Sequence, residues 1–112
     1  MYKFGSIVLI PFPFTDLTSS KLRPALIISQ NNESSEDILV SFISSKISKN
    51  SNTILIPHNS PEFISSGLKK DSEVRLDKIA TLRKSLILGE LGKLSKTFLN
   101  NHKEKFYEIF GF

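Results

Sequence analysis

Apolar residues fall in short blocks between polar loops along most of the chain, and the period changes only towards the C-terminus. Two blocks near the start, Ile7 to Ile10 and Ala25 to Ile28, read as strands, and Ile38 to Ser44 reads as a third. Loops open at Asn31 to Glu33 and at Lys49 to Asn52, where Asn and Ser cluster. Ile54 to Ile56 makes a short strand that Pro57 stops. Ser60 followed by Pro61 places an N-cap and a proline at the first position of a single helical turn, which ends near Gly67. Lys70, Asp71 and Ser72 form a turn, with Lys69 and Lys70 at a solvated tip. Glu73 to Asp77 then alternates charged and apolar residues. Val74 and Leu76 face the core and Arg75 and Asp77 face out, or the reverse where a neighbour covers the other face, the pattern of an exposed edge strand or of a groove lining. Ile79 to Leu82 and Leu86 to Leu91 are the remaining strand candidates.

From Phe98 the step lengthens to three and four residues. Phe98, Leu99, His102, Phe106, Ile109 and Phe110 fall on one face of a helix, with Ser95 as its N-cap and Gly111 just past its end. The pattern predicts a mainly β domain of five to seven short strands followed by one amphipathic helix. A small barrel with that helix over its open face is the simplest packing.

Composition narrows the field. At 112 residues the chain makes one domain, residues 1–112, with nine Phe supplying the large apolar side chains. Cysteine is absent, which excludes disulfides, thiolate catalysis and Cys-based zinc sites, and two His are too few for a His-rich metal site. The longest apolar run, Ile7 to Phe14, is broken by Pro11 and Pro13 and falls far short of the ~20 residues of a membrane span. A lone Lys3 before it does not make a signal peptide, so a cytoplasmic protein is expected. Fifteen Lys and Arg against eleven Asp and Glu give +4, which is compatible with a polyanion partner without requiring one.

The chemistry concentrates between the first two strands, in a loop carrying Thr15, Asp16, Lys21 and Arg23. Pro24 disfavours the helical region for Arg23, so its guanidinium sits on an extended backbone suited to bidentate grip of a phosphate. Pairing of Arg23 with a loop carboxylate such as Asp16 is the plainer explanation. Ser44 and Ser45 close the third strand, where a hydroxyl either donates to a phosphate oxygen or bonds the local backbone. His102 lies on the helical stripe as a core-edge residue, and His58 follows Pro57 in a loop. No Walker loop, paired-glycine fingerprint or metal-ligand spacing is present.

Taken together, GSIVLIPFPFTDLTSSKLRPALIIS, LVSFISSKIS and SEVRLDKIATLRKSLILGELGKLS resemble the MazF/PemK toxins of bacterial toxin–antitoxin systems over nearly the whole chain. The resemblance implies an SH3-like β-barrel with a C-terminal helix, assembled as a homodimer. It also implies an endoribonuclease that cuts single-stranded RNA with no metal or other cofactor and is silenced by a cognate antitoxin. Matched residue by residue, the catalytic arginine falls on Arg23 and the catalytic hydroxyl on Ser44, where Ser replaces the commoner Thr. Thr15, Asp16 and Lys21 fall in the region that closes over RNA, and Ser45 and Arg75 join the RNA-binding set. Attack of the RNA 2′-OH on the adjacent phosphate builds a highly anionic phosphorane, which a guanidinium and a hydroxyl donor stabilise. Arg23 is a poor base, which leaves Asp16 or water to take the proton. The rival from another class is a non-catalytic barrel that binds RNA or a protein such as a topoisomerase.

Overall fold

A computed structural model describes residues 2–12, 21–30, 34–48 and 50–112. The Thr15 and Asp16 expectations and the Asn31 to Glu33 loop start lie outside the described residues. Six antiparallel strands form one curled sheet: β1 (Ser6–Phe12), β2 (Lys21–Ile27), β3 (Asp37–Ser44), β4 (Thr53–Ile56), β5 (Ser72–Arg83) and β6 (Gly89–Lys93). Their order across the sheet is β4-β5-β3-β2-β1-β6. The result is the mainly β, SH3-like half-barrel expected from the sequence.

Alternating side chains give β1, β2, β3 and β5 buried apolar residues on both faces, so the middle of the sheet is covered on both sides. One face carries Ile7, Leu26, Ile43, Ile54, Ile56, Val74 and Leu76, closed by Leu94, Leu99 and the partly buried Phe63, Phe98, Phe106 and Ile109. The other carries Val8, Ile10, Ala25, Ile27, Ile38, Val40 and Leu82, covered by Tyr2, Leu86 and Ile87. Helix α1 (Pro61–Ser66) starts as expected: the Ser60 hydroxyl accepts from the Phe63 N–H at 3.1 Å, and Pro61 needs no donor there. It stops at Gly67, whose φ of 73° lies in the left-handed region. A Cβ at Gly67 would overlap the Leu91 carbonyl of β6, so glycine is required by conformation and by space.

Two expectations are corrected by the sheet. Glu73–Asp77 and Ile79–Leu82 are one strand, β5, and it lies inside the sheet between β4 and β3, not at an edge. Ser41 pairs with Ile79 while its neighbour Phe42 pairs with Arg75, so residues 76–78 form a bulge. The bulge breaks the period-two pattern that made two strands of one, and bends β5 around the barrel. The Leu86 to Leu91 candidate also shifts: residues Lys84–Leu86 form a 3-10 turn and β6 begins at Gly89.

The C-terminal helix is likewise two helices, α2 (Lys96–Asn100) and α3 (Lys103–Phe110). His102, at φ −114° and ψ 12°, leaves helical geometry between them, and its Nδ1 lies 2.9 Å from the Phe98 carbonyl. The expected stripe is therefore interrupted, and Phe110 ends 52% exposed. The Ser95 N-cap and the Gly111 stop are both as expected. Lys105 Nζ donates to the Thr53 carbonyl at 2.7 Å and ties α3 to the start of β4.

Candidate nucleic-acid interface

Strand β2 begins at Lys21, ahead of the Arg23–Pro24 pair, so Pro24 lies within the strand and not at its start. Proline has no N–H for a ladder, and the β2–β3 pairing begins only at Ala25, opposite Phe42. Stepping two residues further (25 to 23, 42 to 44) sets Arg23 across from Ser44, beyond the last pair. There β2 stays bonded to β1 (Ile10↔Arg23), and β3 stays bonded to β5 (Ser44↔Glu73). A cavity of about 520 Å³ opens where β2 and β3 are no longer paired.

Its lining is strongly one-signed. Arg23, Lys46, Lys69, Lys70, Arg75 and Lys78 face it, together with Ser44, Ser45 and Ser72 and the rings of Phe12 and Phe42. Among the described residues, no carboxylate and no imidazole lines it. Six of the chain's fifteen Lys and Arg thus gather at one concave site on a protein whose net charge is only +4. Such clustering in a cleft focuses a positive potential that draws polyanions.

The cations are not equivalent. Arg23 is exposed, and among the described residues no carboxylate is within ion-pair distance of it. Arg75 instead donates through Nε to Asp77 Oδ1 at 3.0 Å and through Nη2 to Oδ2 at 2.9 Å. Glu73 Oε2 lies 3.7 Å from the same Nε. Those hydrogen bonds from Arg75 hold the Asp77 carboxyl below its ordinary value, against the opposing effect of burial. Reciprocally, Asp77 first and Glu73 last push the Arg75 guanidinium further up.

Glu73 is 0% exposed although its residue type and the alternating pattern placed it at a solvated edge. The carboxylate accepts from the Ser48 N–H at 3.1 Å and from the Ser48 hydroxyl at 2.8 Å, which satisfies it beneath the loop that follows β3. Ser44 closes the same loop from above: its Oγ accepts the Lys46 N–H at 3.0 Å and lies 3.3 Å from the Lys46 carbonyl. Its acceptor role is local, and among the described residues its proton has one, long partner.

Of the residues singled out in the sequence, Arg23, Ser44, Ser45 and Arg75 converge on this cavity. Lys21 lies at the exposed start of β2, opposite Phe12, and is not part of the lining. Lys69 and Lys70, read as a solvated tip, face the cavity, as do Lys46 and Lys78. Their convergence depends on Ser44 pairing with Glu73, which brings the turn before β5 beside the end of β3. Among the described residues no group of three His, Cys, Asp or Glu could hold a metal ion. No helix among them is long and apolar enough to cross a membrane.

The family model for PemK-like, MazF-like toxins of type II toxin–antitoxin systems matches residues 3–110. No curated protein matches the chain significantly. Among solved structures, an endoribonuclease in complex with its cognate antitoxin from a mycobacterial species superposes with a TM-score of 0.77 at 20% identity, covering 99% of this chain and 96% of that chain. A MazE–MazF complex from Deinococcus radiodurans gives 0.75 at 18% identity, covering 98% and 96%. The Mycobacterium tuberculosis toxin MazF-mt6 gives 0.71 at 18% identity, covering 95% and 96%. At these identities the superpositions establish the fold, while the match over residues 3–110 establishes the family: the chain belongs to the PemK-like, MazF-like toxins of type II toxin–antitoxin systems.

Proposed function

We propose that this protein is an endoribonuclease toxin that cuts single-stranded RNA in the cavity between β2 and β3, without a metal. The observation that carries it is a lining that, among the described residues, holds six cations and three serines and no carboxylate. Among the described residues the side chains of the lining offer a divalent ion serine hydroxyls and no carboxylate; charge stabilisation falls to the cationic side chains instead.

The RNA 2′-oxygen attacks the adjacent phosphorus, the P–O5′ bond breaks, the leaving 5′-oxygen takes a proton from water, and a 2′,3′-cyclic phosphate and a 5′-hydroxyl result. Arg23 is the electrostatic catalyst. Free of carboxylates among the described residues, it meets the equatorial oxygens of the phosphorane with its full charge. Ser44 donates the second hydrogen bond, since its proton is held only by a 3.3 Å contact. Water takes the 2′-OH proton in this scheme, as among the described residues no lining group is a carboxylate or imidazole. Asp16→Asn separates water from the other acceptor, Asp16: unchanged cleavage leaves water, and loss points to Asp16.

The neighbours that hold an antitoxin support a cognate antitoxin as the partner of this chain. A homodimer acting in the cytoplasm completes the reading. Incubation of the purified protein with single-stranded RNA in EDTA tests it: cleavage ending in cyclic phosphate is expected, and a 2′-deoxy substitution at the cut site abolishes it. Cleavage that survives the 2′-deoxy substitution would refute the mechanism.

One observation favours a second reading, a barrel that binds RNA or a protein target such as a topoisomerase without cutting RNA. The Ser44 hydroxyl closes a turn on Lys46, which is a structural task. Tight RNA binding with no product would select that reading.

A further inference from the structure

We infer that Arg75 reads a base and not a phosphate, and that its preferred partner is the Hoogsteen edge of guanine in the bound RNA. The inference rests on the RNA reading above and adds a sequence preference to it. Three observations carry it.

The first is geometry. Asp77 takes the Nε–H and one Nη2–H of Arg75, at 3.0 and 2.9 Å. A planar guanidinium gripped on that side keeps its far edge, formed by Nη1 and the second Nη2 proton, as a pair of parallel donors. The side chain is 18% exposed and lines the cavity, so the fork is fixed and still accessible. The β5 bulge over residues 76–78 sets Asp77 where it can buttress Arg75.

The second is charge. Asp77 and Glu73 both face Arg75, whereas among the described residues Arg23, Lys46, Lys69, Lys70 and Lys78 have no carboxylate within ion-pair distance. A phosphate is drawn to the uncompensated cations. Arg75 offers directed hydrogen bonds with little net field, which suits a neutral partner. The third is surroundings: Arg75 pairs across the ladder with Phe42, against which Phe12 packs edge-on at 5.4 Å. Unstacked RNA bases are held by such aromatic walls and read on their edges.

Among the bases, guanine presents two adjacent acceptors, O6 and N7, to a forked donor. Adenine pairs an acceptor with a donor on that edge, and uracil has one acceptor there. Cytosine is the competitor, through O2 and N3.

The test is equilibrium binding of the full-length protein to 2′-O-methyl oligouridine carrying one variable nucleotide, followed by fluorescence anisotropy at several salt concentrations. Guanine and inosine are expected to bind on the order of tenfold tighter than adenine, cytosine or uracil. 7-Deazaguanine, which lacks N7, is expected to fall to the adenine level. Arg75→Lys and Asp77→Asn, checked for folding by circular dichroism, are expected to lose the preference; Arg75→Lys keeps the salt slope of the wild type, whereas Asp77→Asn, which removes the carboxylate that compensates Arg75, makes it steeper. The base analogues need no variant and decide the matter should a substitution unfold the protein. A cytosine preference, equal binding of guanine and 7-deazaguanine, or a shallower salt slope in folded Arg75→Lys would overturn the inference alone. No RNA affinity in the wild type would overturn the RNA reading and this inference with it.

Discussion

Salt is the perturbation that most directly probes a cavity of one sign. Six cations line it, and Arg75 is held by Asp77 and faced by Glu73, which leaves Arg23, Lys46, Lys69, Lys70 and Lys78 for phosphates. Each neutralised phosphate of a single strand contributes about −0.7 to the slope of log K against log salt. If all five cations meet separate phosphates the slope reaches about −3.5, and if three do it is about −2. A rise from about 50 to about 200 mM salt then weakens binding roughly 20- to 130-fold. Anisotropy with a 2′-O-methyl strand reads binding without chemistry. Lys46→Ala or Lys70→Ala is expected to make the slope shallower by about 0.7 each. A wild-type slope shallower than about −1, or one indifferent to these substitutions, would refute the assignment of the cavity to a phosphate backbone.

The core gives a contrasting pair. Ser41 Oγ is buried with no hydrogen-bond partner among the described residues, so Ser41→Ala is expected to shift the urea midpoint little or upward. Leu26→Ala, from a side chain 0% exposed, costs about 2–5 kcal/mol in the same assay; a Ser41→Ala cost of that size would contradict the packing described. Gly67→Ala is expected to destabilise by at least about 1–2 kcal/mol from its left-handed backbone alone, since the new Cβ also meets the Leu91 carbonyl; a neutral melting temperature would count against the α1–β6 approach. Asp77 carries a depressed pKa, so its contribution is complete above the unfolded value of about 4 and is lost as pH falls through the lower folded value. An NMR titration of the Asp77 carboxyl with a midpoint at or above that unfolded value would show that the Arg75 fork does not form in solution.

Much of this fold was legible because local chemistry agreed with it. Ser60, Pro61 and Gly67 announce α1, and the apolar blocks announce β1 to β4, because capping and alternation act over a few residues. The misreadings share a cause. A bulge at residues 76–78 shifts the strand period, and only the β3–β5 register reveals that the two halves are continuous. Glu73 is buried by a loop arriving from Ser48, a partner 25 positions away in the chain, so its charge alone pointed outward. Arg23 and Ser44 are marked in the sequence by the backbone restriction at Pro24 and by the family resemblance. The lysines are not, because a Lys-Lys pair at a turn carries no local mark of what faces it. His102 fitted the helical stripe in sequence and breaks it in space, where its ring turns to the Phe98 carbonyl.

Arg23 is the residue on which the functional assignment stands. Single-turnover cleavage of a labelled single-stranded RNA in EDTA, by wild type and by Arg23→Ala at matched circular dichroism, measures its contribution. Loss of one preorganised donor to a developing oxyanion lowers the rate on the order of 10²–10³-fold, and that loss is the expected result. A folded Arg23→Ala protein that cuts RNA at the wild-type rate would contradict the assignment.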